Sequence, residues 1–415
     1  MKNGKLLQAV AAAAVGACLA GMPIRAEAAE SRVEGDMTES GTVQEVSEGD
    51  VEIDAAHFPD AAFRNYVLKN FDQDHNNILS VSEAEAVTTI NVGRYNGAKD
   101  VYEGSIGAKN LTGLRYFPNL QCLECADNRI TTLDVSGNPE LVTLQCDMNR
   151  LSKLDVSRNP KLKYLYAGWN RLTELDVSGN PELEGLGCQL CYLRELDVSG
   201  NSKLTYLNCG ENELSTLKIT GLPDLEELRC ESNRLKEINI KACPKLTNLT
   251  AQGNQILVLD ARVQGDRLKE LKVDKDRTAV IRSEKNLGWY HIGDEDYYVE
   301  SCGDGRLDVR LATGWRQIKG NYYYFVGNGT MWTGWRRVGG KYYYMNEQGV
   351  MQTGWKKIGK KWFCFSSGGV MQTGWKKSGG KWYYLNSDGT MAVSTSKYLG
   401  GKTYKFDKNG ICTNP

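Results

Sequence analysis

At 415 residues, with 51 basic and 51 acidic side chains, the chain is long enough for two or three domains and carries no formal net charge. The balance hides a split: from Thr313 onward 16 Lys and Arg face three acids (Glu347, Asp388 and Asp407), a net of +13, so the remainder carries −13. A basic tail suits an anionic surface. No nucleic-acid partner is expected, and G-x-S-x-G, phosphate-loop and HExxH signatures are all missing, with His57, His75 and His291 away from any nucleophile motif.

Residues 1–28 read as a signal peptide. Lys2 and Lys5 precede an apolar run from Leu6 to Ile24, and Ala26-Glu27-Ala28 supplies a small-x-small cleavage site. An uncleaved anchor and a lipoprotein box at Val15–Cys18, lipidated on Cys18, are the alternatives; hydrophobicity continuing to Met22 favours the cleaved signal. No later run is apolar enough to span a membrane, so no transmembrane segment is expected after cleavage. Residues 29–50 are acidic and poor in large apolar side chains, which predicts a disordered linker.

Residues 51–92 form a helical segment and cap. Phe63, Val67 and Phe71 recur at helical spacing and lead into Asp72-Gln73-Asp74-His75-Asn76-Asn77-Ile78-Leu79-Ser80-Val81-Ser82-Glu83. This fits an EF-hand loop, with Asp72, Asp74, Asn76, the Ile78 carbonyl, Ser80 and Glu83 as oxygen ligands for a structural calcium ion. Asn77 stands where glycine ordinarily takes the left-handed turn, and asparagine is the next-best residue there. The other reading is a capping box alone, made by Ser80 and Glu83.

In the region 93–285 a 21-residue unit recurs seven times between Leu120 and Leu259; its fullest copy, Leu141 to Lys161, is LVTLQCDMNRLSKLDVSRNPK. The L-x-x-L-x-C-x-x-N-x-L pattern resembles the leucine-rich repeat family, which implies a short-unit solenoid. Ile90-Asn91-Val92 with Leu111–Leu114, and Leu268, Leu271 and Val273, read as leading and closing units. Asn128, Asn149, Asn170, Asn212, Asn233 and Asn254 form a column, with Cys191 in the fourth unit, expected to bond backbone between turns. Cys125, Cys146, Cys188, Cys209 and Cys230 share one register with Ala167 and Ala251, so free core thiols are favoured, though the spacing of adjacent rungs permits a bridge. Asp134, Asp155, Asp176, Asp197 and Asp260 precede serines in most units and read as turn formers. On the alternate, concave positions Tyr164, Tyr166, Trp169 and Tyr206 surround Gly185 and Gly187, either a partner-binding patch or aromatic rungs stacked on one another.

Composition changes at about residue 286. Eight of nine tryptophans and 13 of 21 tyrosines lie in 286–415, where a 20-residue unit recurs four times, as in TGWKKIGKKWFCFSSGGVMQ at Thr353–Gln372. Glycine turns around short aromatic strands predict one β-hairpin per unit. The pattern resembles the choline-binding, or cell-wall-binding, repeat family, whose hairpins stack into a solenoid and cage the quaternary ammonium of teichoic-acid choline. A cation without N–H donors is held by π-faces and apolar contact, and stacked rings also suit sugar faces. The resemblance carries over to Trp355 with Trp362, closed by Tyr383 or Tyr384, and to Trp375 with Trp382; Trp315, Trp335 and Tyr342 hold matching positions. Tyr322 and Tyr342 replace the family's second Trp, and Cys364 interrupts an aromatic run.

The expected molecule is therefore a mostly β, two-solenoid protein with a small N-terminal helical segment. Its function is expected to be that of a non-enzymatic bacterial surface protein, secreted and held non-covalently on wall teichoic acid or polysaccharide by its tail. The leucine-rich array would display a face for an unidentified protein or glycan. The alternative is a wall-associated hydrolase or toxin-like factor that the repeats only target to glycan.

Overall fold

The computed structural model describes residues 49–96, 99, 101–301 and 309–415; the expected signal at 1–28 and nearly all of the expected linker at 29–50 lie outside them. The chain divides into two compact units, Met1–Asn286 and Leu287–Pro415.

The first unit begins with a helix (α1, Ala61–Asn70) capped by Asp60, whose side chain accepts from the Ala62 and Phe63 amides, with Phe63 and Val67 buried. A second short helix (α2, Val81–Ala86) has Ser80 as its N-cap. The two-residue strands Val51–Glu52 and Ile78–Leu79 pair antiparallel beside it. A ten-stranded sheet follows, in which strands of three to four residues lie parallel in chain order from Cys122–Cys125 to Glu270–Lys272. Its register repeats the sequence period: Leu123 opposes Leu144, Leu144 opposes Leu165, and the series runs on to Leu249 and Leu271. The leading and closing units are in place as the strands Thr89–Asn96 and Glu270–Lys272.

Each turn buries its leucines in one continuous core, and the cysteine column lies in it. Cys125, Cys146, Cys188, Cys209 and Cys230 are free and buried, and burial pushes their thiols up in pKa. Cys122, which lies outside that register, is disulfide-bonded. The asparagine column bridges turns as the pattern implies. Asn149 donates to the Cys125, Cys146 and Asp147 carbonyls and accepts from the Ile130 amide. Where Cys191 stands in its place, the thiol reaches the Ala167 carbonyl at 3.5 Å.

A second ladder was not anticipated: Asn138, Asn159, Asn180 and Asn201 are fully or almost fully buried and donate to carbonyls of the preceding turn. The residue before each column asparagine takes a left-handed backbone: Asp127, Met148, Trp169, Glu211 and Ser232 have φ of 52–54°. Only the last turn uses glycine there, Gly253.

The second unit starts with a three-stranded sheet, Gly288–Ile292, Glu295–Ser301 and Val309–Leu311. Five hairpins follow, Gly314–Phe325, Gly334–Met345, Gly354–Phe365, Gly374–Leu385 and Thr395–Phe406. The backbone locks each to the next: the Met351, Met371 and Met391 amides donate to the Tyr322, Tyr342 and Trp362 carbonyls at 2.8 Å. The Gly and Met columns of the sequence are one device. Gly369 has φ +77°, and a Cβ there would overlap the Met351 sulfur, so each methionine lies against a glycine of the next unit.

Candidate functional site

In the first, second and fourth hairpins the Gly-Trp residue and the third aromatic of the run are cross-strand partners, so both rings lie on one face. Stacking then sets each tryptophan against the middle aromatic of the following hairpin. Ring centroids are 4.9 Å apart for Trp315–Tyr343, 4.8 Å for Trp335–Phe363, 5.1 Å for Trp355–Tyr383 and 4.7 Å for Trp375–Tyr404. These edge-to-face and tilted contacts add to the main-chain bonds that join successive hairpins.

The first aromatic of each run has no such burden. Tyr322, Tyr342, Trp362 and Trp382 remain 37–46% exposed. Each repeat thus groups a tryptophan, an exposed ring of the same hairpin and the middle aromatic of the next. In the third hairpin these are Trp355, Trp362 and Tyr383, and Tyr383 rather than Tyr384 is the closing ring. Tyr384 instead meets Trp375 at 5.3 Å. The fourth set is Trp375, Trp382 and Tyr404, with Trp375 and Trp382 at 6.1 Å and perpendicular. Cys364 opposes Trp355, where the first, second and fourth hairpins place a tyrosine.

Between the first two hairpins the Arg336 guanidinium lies 4.4 Å from the Trp332 ring and 5.6 Å from that of Tyr324, an internal cation–π contact. Its signal in the sequence was Trp332, standing where the next two units carry Gln352 and Gln372.

The loop after α1 brings Asp72, Asp74 and Glu83 together, with one oxygen from each within 4.8 Å of the others. Oxygens bound to a single calcium ion at 2.3–2.6 Å are at most about 5 Å apart, so this spacing fits one ion. His75 and Asn77 take the left-handed turns, with φ of 59° and 63°. Asp72 is buried and accepts from the Asn76 and Asn77 amides, and Asn76 accepts from Ile78. The capping box is present as well, since Ser80 and Glu83 bond reciprocally. Burial opposes the charged form of Glu83, but hydrogen bonds from Gln73 and Ser80 outweigh it and hold the carboxyl below its ordinary range.

On the array, Tyr164 and Tyr166 lie in one strand beside Gly185 and Gly187. Trp169 is half exposed, whereas Tyr206 is buried at 3% exposure. The Tyr164 hydroxyl donates to Glu184, and burial and that bond push its pKa up to about 12. The aspartate column does local work: Asp134, Asp155, Asp176 and Asp197 each accept from the amide of the serine two residues on.

A choline-binding repeat model matches residues 352–396, and a cell wall binding repeat model matches residues 313–331 and 333–351. The C-terminal unit is therefore built of choline-binding, cell-wall-binding repeats, the equipment of attachment to a cell wall. Among solved structures, choline binding protein F from Streptococcus pneumoniae is 37% identical over 31% of this chain and 40% of its own, with a TM-score of 0.27. The functional domain of InlJ from Listeria monocytogenes, which includes a cysteine ladder, is 24% identical over 54% of this chain and 61% of that one, at a TM-score of 0.28. An internalin C2 from the same organism is 21% identical over 54% of this chain and 96% of its own, at a TM-score of 0.42. This chain spans about two fifths of the length of choline binding protein F. No curated protein matches it. Among the described residues no helix is long and apolar enough to cross a membrane.

Proposed function

We propose that this is a non-enzymatic, secreted bacterial surface protein, held on choline-bearing wall teichoic acid or a related polysaccharide by its aromatic repeats. The observation that carries the reading is the recurrence of one ring set, tryptophan, exposed ring and middle aromatic of the next hairpin, at each hairpin junction. Each ring contributes on the order of 0.5–2 kcal/mol to a bound cation, and weak sites on one rod add through avidity on a polymer. Retention on choline-bearing walls, reversed by free choline, is the test.

The leucine-rich array displays the adhesive face in this reading, with Tyr164, Tyr166, Trp169 and Tyr206 as contact residues for a protein or glycan. Trp169, half exposed, supplies the largest area, and Tyr206, buried, lies in register with Tyr164 across Gly185. Changing Tyr164, Tyr166 and Trp169 together to alanine is expected to weaken partner binding by about 2 kcal/mol or more, while Asp176→Ala leaves affinity unchanged. Equal affinities for wild type and the triple variant, with both folded, would move the partner to another face.

Asp72, Asp74, Asn76, the Ile78 carbonyl, Ser80 and Glu83 hold a structural calcium ion in this reading. Calcium at a hundred times its Kd should add about 2.7 kcal/mol to stability. Asp72→Ala lowers the basal melting temperature too, because it removes the Asn77 amide's acceptor and one of the two acceptors of the Asn76 amide; the discriminating quantity is the calcium-dependent increment. A wild-type protein whose melting temperature ignores millimolar calcium would leave only the capping box.

A further inference from the structure

One column of side chains runs through every junction of the C-terminal unit, and sulfur fills five of its six places. Leu311, Met331, Met351, Met371, Met391 and Cys412 recur at one unit's spacing. A Cβ built on Gly349, Gly369, Gly389 or Gly410 would overlap the thioether of the methionine one unit earlier, so each thioether rests on the main chain of the unit that follows. Leu311 does the same against Gly329 with hydrocarbon alone, so the packing does not require sulfur. Met331 is 9% exposed, whereas Met351, Met371 and Met391 keep part of their surface in solvent. The glycine amides beneath these three are already committed to their own turns. Gly369 donates to the Ser366 carbonyl at 3.0 Å, Gly389 to Asn386 at 2.9 Å and Gly410 to Asp407 at 3.0 Å.

We propose that Met351, Met371 and Met391 are oxidation sites, at which a peroxide converts the thioether to a sulfoxide and opens the hairpin stack. A sulfur lone pair attacks one peroxide oxygen and the O–O bond breaks. The sulfur keeps that oxygen and is oxidised by two electrons, and the other oxygen, reduced and protonated, leaves as water. The reaction turns a flexible apolar side chain into a polar one with a strong acceptor. On the glycine side there is no room for another atom and no uncommitted amide to meet it. The oxygen therefore turns to solvent and takes the sulfur off the glycine. Each displaced methionine also carries an amide that holds an earlier hairpin, as Met371 holds the Tyr342 carbonyl, so one lesion loosens contacts on both sides. Release from the wall would follow, a consequence that rests on the wall-binding reading.

The test treats the full chain with hydrogen peroxide and locates the sulfoxides by peptide mass spectrometry. Melting is followed by tryptophan fluorescence, which reports the C-terminal unit because eight of the nine tryptophans lie there. Met351, Met371 and Met391 should oxidise ahead of Met331 and of Met345, which is fully buried. The fluorescence melting temperature should fall as they do, and retention on choline-bearing walls should drop roughly ten-fold, the scale of one buried polar group left unpaired. A methionine sulfoxide reductase should restore both. Met351→Leu with Met371→Leu and Met391→Leu should match untreated wild type, since Leu311 already fills the equivalent place, and should keep its melting temperature and retention in peroxide. If walls fail to retain even the untreated protein, the wall-binding reading falls, and the melting comparison still decides the oxidation. Oxidised wild type that melts like untreated protein, a loss the reductase does not reverse, or equal damage in the leucine variant overturns the inference.

Discussion

Replacing Trp355 and Trp362 together with alanine should release the protein from choline-bearing walls. The double change removes the Gly-Trp ring and the exposed ring of the third site and leaves Tyr383 facing solvent. At about 0.5–2 kcal/mol per ring, the site loses about 1–4 kcal/mol, a factor between roughly five and a thousand. On a polymer the loss is multiplied, because one fewer site is engaged at once. The stack itself should survive: the Met371 and Met391 amides bond the Tyr342 and Trp362 carbonyls through main chain, which the substitutions leave in place. Circular dichroism and thermal melting of the full chain establish that point, and retention on walls is then read at matched folding. Undiminished retention in a folded double variant would remove the third site from the account.

The second large effect belongs to the array. Asn170→Ala should lower stability by about 3 kcal/mol, several times the effect of Asp176→Ala in the same turn. Asn170 donates to the Cys146, Ala167 and Gly168 carbonyls at 3.0–3.1 Å and accepts from the Leu151 amide at 2.9 Å. All of these bonds are buried, and alanine can replace none of them. A single buried group left unpaired costs about 1–3 kcal/mol, and some of the carbonyls keep other partners, which is why the estimate stays well below a simple sum. Asp176 forms one exposed bond to the Ser178 amide, so its loss should stay near 0.5 kcal/mol. Chemical denaturation of both variants compares them directly. Similar losses would mean that the column asparagines are replaceable by water between turns.

The solenoid was legible because its periods are long and its core strict. Leucines at fixed spacing, and a slot filled by Cys or Ala, mark a small buried position without any knowledge of the fold. The hairpins were legible for the complementary reason: glycine at both turns leaves little else for five-residue aromatic strands to form. The ladder of Asn138, Asn159, Asn180 and Asn201 escaped notice because an asparagine in S-x-N, followed by proline in the first three, has the same sequence signature as an ordinary turn residue. The left-handed backbone at Trp169 was hidden as well, since tertiary bonding on both sides imposes it on a residue that would not choose it. Burial of Tyr206 also lay beyond a pattern that places a side chain on a face without saying what covers the face. In the calcium-type loop, Asn77 takes the left-handed turn that its position asked for, while the same conformation at His75 had no signal. Lys377 over Trp382 follows from cross-strand register, which spacing gives only once the hairpin turn is known.

The central claim is that the tail grips a quaternary ammonium and does not merely adhere by its net charge of +13 from Thr313 onward. The most direct measurement loads the full chain on choline-bearing walls and washes matched samples with choline chloride and with sodium chloride at equal ionic strength. Screening acts alike in both washes, so charge-driven binding would be lost equally. The account predicts elution by choline and retention in sodium chloride. Equal elution by the two salts, or retention in both, would contradict it.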